Sequence, residues 1–216
     1  MKLSDVEVRI MGSLIEKEST TPDNYPLSLN ALANACNQLS NRDPVMSLGE
    51  DAVKWAVNNL RQQSLVRAIQ PMDSRVMKFQ HLAADRWELD TPQLAVLCVL
   101  MLRGAQTPGE IKARTNRLAD FATLAEVESA VRALVARGLV MELPRQSGRK
   151  EPRYTHLLAG EPNDAPATES AADARVPTAS EPGDARISAL EHTVDAVQRE
   201  LADLRTRFEE FQRQFG

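Results

Sequence analysis

Histidine, cysteine and aromatic residues are scarce in this chain of 216 residues, and their scarcity excludes several kinds of site. The chain has 3 His, 2 Cys and 9 Gly, and aromatic residues make up 4%. The histidines lie in three separate predicted elements, and no His or Cys pair has a metal-ligand or redox spacing. Neither a glycine-rich phosphate loop nor a nucleophile elbow occurs. The sequence therefore predicts no metal, no cofactor and no catalytic residue, and a protein that is not an enzyme.

The chain also lacks a long apolar run, so no membrane span is expected. Its longest apolar segment, Leu94 to Leu102, has nine residues, whereas a helix needs about 20 to cross a bilayer. The first residues lead directly into an amphipathic pattern, and no signal peptide is expected. Cys36 and Cys98 lie in apolar helical patterns, which predicts buried free thiols in a reducing compartment. We therefore expect a cytoplasmic protein.

Acidic charge exceeds basic charge, but the excess lies at the C-terminal end. Lys and Arg number 26 and Asp and Glu number 30, for a net charge of −4. By segment, the net charge is −1 over residues 1–85, +3 over 86–160 and −6 over 161–216. A nearly neutral first part with a mildly basic second part permits nucleic-acid binding through a local patch.

Residues 28–66 predict the order helix, polar turn, helix and strand. Ser28 precedes an amphipathic helical pattern, and Pro44 prevents that helix from continuing through the polar turn. A Ser47-x-x-Glu50 pattern predicts a capping box at the start of the next helix. The inward positions of that helix are Val53, Ala56, Val57 and Leu60.

The same plan occurs twice. Strands are predicted over 65–69 and 76–81, and again over 139–143 and 153–158, so each helical segment leads into a hairpin. The third helices of the two copies, with the start of the strand after each, align at a constant offset of 74 residues. Further helix starts are predicted at the capping residues Ser4, Asp90, Thr107 and Thr123.

These patterns predict a mainly α fold with small β hairpins (α+β), namely two tandem winged-helix domains followed by a flexible linker and a C-terminal coiled-coil helix. The predicted boundaries are 1–85, 86–160, 161–185 and 186–216. The apolar run in the second domain predicts a helix buried on several sides, in contact with the other domain or another subunit. The linker has almost no large apolar residue, so burial there does not offset its ordering entropy.

The C-terminal segment predicts self-association through a heptad seam. The seam residues are Ile187, Leu190, Val194, Val197, Leu201, Leu204, Phe208 and Phe211. We expect a homo-oligomer joined by this coil. The alternative is that the helix folds back onto the winged helices of its own chain.

Two sets of residues are predicted to bind double-stranded DNA. Four cations lie on or beside the turn of the second wing, namely Arg145, Arg149, Lys150 and Arg153. Three residues lie on the solvent side of the third helix of the first domain, namely Lys54, Asn58 and Arg61. A winged helix places a helix in the major groove while its wing contacts backbone or minor groove. The alternative for the second wing is a solvated hairpin tip whose charges only maintain solubility.

The polar turn of the first domain is open to two interpretations. Its residues Asn37, Asn41, Arg42 and Asp43 form either a surface for a partner or a rigid structural turn. In the structural interpretation, Asn and Asp side chains bond nearby backbone and Arg42 pairs with Asp43 or Glu50.

This turn also carries a resemblance to a known family. The runs NACNQ at 34–38 and SNRDPVM at 40–46, together with RKE at 149–151, RY at 153–154 and HLL at 156–158, are specific. In these runs the chain resembles the YceH-like family of uncharacterised bacterial proteins, over about residues 3 to 160. The resemblance implies two tandem winged helices and brings no established activity.

Two functions follow. The first is a homo-oligomeric regulatory protein that binds DNA, by analogy with the commonest use of the fold. The second is a scaffold whose winged helices bind other proteins, which the nearly neutral recognition helices and the acidic total favour.

Overall fold

In the computed structural model of this chain, residues 2–72, 75–144 and 151–161 are described. Over these residues the fold is mainly helical with small antiparallel sheets, which confirms the α+β class. The helices are α1 (Asp5–Thr20), α2 (Leu29–Cys36), α3 (Glu50–Gln62), α4 (Ala83–Trp87), α5 (Thr91–Arg103), α6 (Pro108–Thr115) and α7 (Leu124–Ala136). The strands are β1 (Leu27–Ser28), β2 (Val66–Ile69), β3 (Lys78–His81), β4 (Val140–Leu143) and β5 (Arg153–His156).

Side chains cap most of the helices where the sequence predicts them to begin. The Ser4 hydroxyl accepts from the Glu7 amide at 3.3 Å, while the Glu7 carboxylate accepts from the Ser4 amide at 2.7 Å. Thr107 and Glu110 form the same capping box, at 3.3 and 2.8 Å. Single side-chain caps are formed by Ser28, Asp90 and Thr123. These bonds satisfy amides that the first turn of a helix leaves without partners.

The start of α3 differs from the prediction. The helix begins at Glu50 with Gly49 as N-cap, and no side chain caps it. The prediction of a capping box formed by Ser47 and Glu50 is therefore wrong. The reason lies in a contact made across the turn. The Asn37 amide group donates to the Leu48 carbonyl at 2.9 Å and accepts from the Leu48 amide at 2.8 Å. The backbone amide and carbonyl of Leu48 are therefore both hydrogen-bonded to the Asn37 side chain. Since neither is available for the bonds of a helix, α3 begins after Leu48, at Glu50.

A β hairpin follows each of the helices α3 and α7, namely β2–β3 and β4–β5. In the first sheet, β1 also pairs with β3, so β3 lies between β1 and β2, and all pairs are antiparallel. Each predicted strand is found, shorter than expected by one or two residues. Leu65 and Leu139 are not part of the strands, because their amides donate to the Leu60 and Leu134 carbonyls of the preceding helices, at 2.9 and 3.0 Å. The sequence does not predict β1 or α4, since such short elements show no period.

The second copy repeats the third helix and the following strand of the first at a fixed spacing. Helices α3 and α7 begin 74 residues apart, at Glu50 and Leu124, and β2 and β4 keep that offset. At the matching position after each helix, Ser64 and Gly138 take left-handed φ angles of 57° and 67°. Glycine adopts this conformation without steric cost, and here it turns the chain from helix into hairpin.

Helices α1 and α5 pack directly against each other and join the two copies. Residues Ala95 to Leu102 of α5 are all buried, as predicted for the apolar run. Gly12 of α1 lies against Leu102, and the Cys98 thiol donates to the Gly12 carbonyl at 3.3 Å. Buried apolar residues of both copies belong to one hydrophobic cluster.

Several predicted features lie outside the described residues. These are the tip of the second wing at 145–150, the predicted linker beyond residue 161 and the whole heptad seam. They stay predictions.

Substituting Gly12 by Val is expected to destabilise the protein by about 3 kcal/mol, because overfilling a packed interface forces neighbours to shift. A Cβ at this position would lie 2.8 Å from Leu102 Cδ2 and 3.3 Å from Met101 Cβ. Denaturant-induced unfolding measures the change. The matched control is Gly109→Val, where the nearest atom to the new Cβ is 4.0 Å away, and its stability is expected to change by less than about 0.5 kcal/mol. Equal effects of the two variants would contradict the packing argument.

Candidate nucleic-acid interface

Helix α3 presents a polar and aromatic face to solvent. Its apolar positions are buried, which confirms the predicted inward face Val53, Ala56, Val57 and Leu60. Lys54, Asn58 and Arg61 are exposed, as predicted. Trp55 lies beside them with 65% of its surface exposed. Sequence reasoning missed Trp55, although its spacing of three residues from Asn58 indicates the same side of the helix.

The hairpin after α3 adds three further cations. Arg67 on β2 and Arg75 before β3 are exposed, and Lys78 on β3 is half-buried. Among the described residues, no carboxylate lies within 4 Å of any of these three or of Lys54 and Arg61. Arg61 has only a neutral partner, the Asn58 side-chain oxygen at 3.3 Å. The charges of this segment are thus available to an external anion.

The acidic residues of this segment lie at the start of α3. Glu50 and Asp51 occupy the first turn, where a negative charge interacts favourably with the helix dipole. They lie at the opposite end of the helix from Arg61, and Lys54 comes one turn after Glu50. The basic character therefore increases from the start of α3 towards the hairpin.

Helix α7, the counterpart of α3, has its cations engaged. Arg132 pairs with Glu128 at 3.8 Å on the same helix. Arg137 pairs with Glu88 at 3.1 Å and donates to the Trp87 carbonyl at 2.9 Å. These bonds lower the positive potential that the second copy offers to an anion.

Of the four cations predicted for the second wing, Arg153 is the one that the structure describes, since Arg145, Arg149 and Lys150 lie outside the described residues. Arg153 is half-buried and its guanidinium donates to the Ala105 carbonyl. It therefore ties β5 to the segment after α5, and its predicted contact with nucleic acid stays a prediction.

Arg42 is buried, which corrects its prediction as a surface residue. Its Nη1 and Nη2 donate to the two carboxylate oxygens of Glu16, at 3.1 and 2.7 Å. Its Nε and Nη2 also donate to the Ala35 carbonyl, at 3.1 and 2.8 Å. The predicted partners, Asp43 and Glu50, are not the ones it uses. The carboxylate comes instead from α1, at a separation of 26 residues.

The other turn residues divide between structural and exposed positions. The Asn37 side chain bonds both the amide and the carbonyl of Leu48, as described above. Asn41 is exposed, with a left-handed φ of 60°, and its side-chain oxygen accepts from Arg103 of α5. Asp43 is also exposed, and its amide donates to the Leu102 carbonyl at 2.9 Å. The bonds of Asn41 and Asp43 hold the turn against α5, and the bonds of Asn37 and Arg42 support the structural interpretation for those two residues.

Arg9 is a second buried arginine that sequence reasoning missed. Its Nη1 donates to the Cys36 carbonyl at 3.2 Å and its Nη2 to the Pro44 carbonyl at 2.6 Å. Burial, followed by the charge of Arg42, lowers the pKa of its guanidinium. Arg9 thus binds both ends of the polar turn to α1. No local pattern identifies such a residue, because its acceptors are backbone carbonyls far along the chain.

The Glu16 carboxylate is held in its charged form. Burial by itself raises its pKa, but the hydrogen bonds and charges of Arg42 and Lys17 outweigh burial, so the pKa lies below the ordinary value of 4.5. Because the folded state favours the carboxylate, this contribution to stability is complete above about pH 4.5 and is lost as the pH falls through the lowered pKa.

Both cysteines are buried and free, as predicted. Burial raises the pKa of the Cys36 thiol to about 11 and raises that of Cys98 further. Thiols that stay protonated are poor nucleophiles and poor metal ligands. Over the described residues, no cluster of three metal-ligating side chains is found, and no helix has the length and apolarity that a bilayer crossing requires.

These observations define the class of protein: a mainly helical α+β chain that exposes a cation-bearing helix and hairpin. A family model described as "Protein of unknown function, DUF480" matches residues 3–149. The chain belongs to this family. The match agrees with the resemblance to the YceH-like family and covers the same part of the chain.

Bacterial relatives extend the similarity over the full length. A UPF0502 protein of Pelobacter propionicus is 49% identical over 219 residues, covering 100% of this chain and 99% of the relative. One of Opitutus terrae is 52% identical over 161 residues, covering 73% and 70%. One of Herminiimonas arsenicoxydans is 44% identical over 210 residues, covering 96% and 88%.

Replacing Glu16 by Gln is expected to lower the free energy of unfolding by about 3 kcal/mol at pH 7, because the buried Arg42 charge then lacks its carboxylate. Urea unfolding measures the loss. The matched control is Glu128→Gln, which breaks an exposed pair four residues apart and is expected to cost about 0.5 kcal/mol or less.

The gap between wild type and Glu16→Gln is expected to narrow as the pH falls below about 4.5, where the carboxylate of the unfolded chain becomes protonated, and to close as the pH falls through the lowered pKa of the folded state. A gap that stays constant down to pH 3, or equal losses in both variants, would show that the pair does not stabilise the fold.

Proposed function

We propose that each copy of the repeat is a winged helix. In this interpretation α1, α2 and α3 form the first helical unit with β2–β3 as its wing, and α5, α6 and α7 form the second with β4–β5 as its wing. The helix order, the hairpin directly after the third helix and the constant offset support it. The third helices α3 and α7 then correspond to recognition helices.

We further propose that the protein binds double-stranded DNA through the first unit and acts as a regulatory, non-enzymatic protein. The observation that carries this is the set of cations on α3 and its hairpin that lack carboxylate partners among the described residues. Cations of this kind neutralise phosphates, and Asn58 and Arg61 suit the edges of adenine and guanine. Since the described cations of α7, its C-terminal end and its hairpin are engaged, the first unit is the better supported interface.

Self-association and location belong to the same proposal. A coiled-coil helix over 186–216 would join two or more chains and place their recognition helices on successive sites of one duplex. The buried protonated thiols agree with a reducing cytoplasm.

A second function, binding of another protein, is favoured by apolar exposure on the first unit. Trp55 of α3 is joined by Met72, Val76 and Met77 of the hairpin, all with large exposed fractions. Aromatic residues and methionine are enriched at protein interfaces, where they supply most of the binding energy. This function would use the same face of the molecule.

The test is the salt dependence of binding to a labelled random duplex, followed by fluorescence anisotropy. Each phosphate contact contributes about −0.9 to the slope of log affinity against log salt concentration. The variant Lys54→Ala/Arg61→Ala is therefore expected to have a slope shallower by about 2. Wild-type protein that fails to bind at about 50 mM salt would contradict DNA binding and leave protein binding as the better proposal.

The matched control removes two cations outside the proposed interface. Arg86 and Arg132 are both exposed, on α4 and α7. The variant Arg86→Ala/Arg132→Ala has the same net charge as the test variant, and its slope is expected to equal that of wild type. An equal change in both variants would mean that only the total charge matters.

A further inference from the structure

A cavity lies between the two copies of the repeat, apart from the proposed DNA interface. It has a volume of about 280 Å³ and is bounded by α1, the polar turn, α5, α6 and the residues after α6. This volume is slightly below the roughly 300–1,000 Å³ typical of small-molecule sites, which favours a small ligand. The apolar part of its wall is formed by Val99, Leu102 and Leu118.

Three arginines are among the residues that line the cavity, namely Arg103, Arg114 and Arg117. Among the described residues, Arg103 and Arg117 have no carboxylate within 4 Å. Arg114 is partly engaged, with Gln106 at 2.7 Å and Glu110 at 3.6 Å. The cavity therefore carries more positive charge than its surroundings neutralise.

The carboxylate in the wall offsets this charge only in part. Glu16 is bound by Arg42 at 2.7 Å and by Lys17 at 3.3 Å, so its charge is already shared between two cations. Burial, followed by the charges of Arg114 and Arg42, lowers the pKa of Arg103 and outweighs the opposite effect of Glu16 and Asp43. Like charges are thus close together here, and a bound anion would relieve their repulsion.

Neutral donors complete the lining. The Asn41 side chain accepts from Arg103 through its oxygen, which leaves its NH₂ group as a donor. Asn116, on the segment after α6, brings a second amide to the cavity. Arginine forks and amide donors around a cavity with an apolar wall suit an oxyanion attached to a small organic group.

We propose that this cavity binds a small organic phosphate or diphosphate. A monocarboxylate has one charge and two oxygens, enough for one guanidinium fork, whereas a phosphate has up to two charges and three terminal oxygens that several arginines share. The ligand would contact α1, the polar turn, α5 and α6 at once and would tie the two copies together. This inference goes beyond the proposed DNA binding and does not depend on it.

Isothermal titration of the full chain with inorganic pyrophosphate at constant ionic strength tests the proposal. One site per chain is expected, with a Kd below about 1 mM. The variant Arg103→Gln/Arg117→Gln is expected to bind at least about tenfold more weakly, the effect of losing hydrogen bonds to a charged group. Sodium acetate is expected to bind far more weakly than pyrophosphate.

The control variant is Arg86→Gln/Arg132→Gln, which removes two exposed cations that lie outside both the cavity and the proposed DNA interface. Its affinity for pyrophosphate is expected to equal that of wild type. Because Arg117 is exposed, Arg117→Gln alone keeps the test valid if the double variant does not fold. The proposal is overturned by no wild-type binding at about 1 mM, by equal losses in the cavity variant and the control variant, or by acetate binding as tightly as pyrophosphate.

Discussion

The buried ion pair between Arg42 and Glu16 organises the first half of the molecule. The Arg42 guanidinium is fully buried and donates to the Glu16 carboxylate on α1 and to the Ala35 carbonyl near the end of α2. An arginine placed in this way fixes the direction in which the chain leaves α2, because moving it would separate a buried charge from its partner. Arg9 and Asn37 then bind the remainder of the turn, and α3 begins only where those bonds end.

The same turn connects the ion pair to the second half. Asp43 bonds the end of α5 through its backbone and Asn41 bonds Arg103, while Gly12 allows α1 and α5 to approach closely. The two copies therefore share one apolar cluster. The cavity lined by Arg103, Arg114 and Arg117 exists because helices of both copies meet around the polar turn. Ligand binding there and packing of α1 on α5 would involve the same residues.

The two copies share a backbone plan but differ in how their charges are engaged. In the second, Arg132, Arg137 and Arg153 bond groups of the protein itself, so they contribute to structure. In the first, the cations of α3 and its hairpin have no carboxylate partner among the described residues. A repeated unit can thus keep its backbone plan while its cations are engaged in one copy and, among the described residues, left without carboxylate partners in the other. The exposed Trp55 adds an apolar anchor to that same helix.

The sequence by itself determined the elements whose signals are local. Capping pairs such as Ser4 with Glu7 act over three residues, and the buried and exposed faces of α3 follow from helical periodicity. The offset of 74 residues likewise needs only comparison of the chain with itself. Tertiary structure decided what depends on distant partners: that Arg42 pairs with Glu16, that Leu48 is bound by Asn37, and that three arginines surround one cavity. Such contacts join residues far apart in the chain, so their geometry is set by how helices pack and no short stretch of sequence contains it.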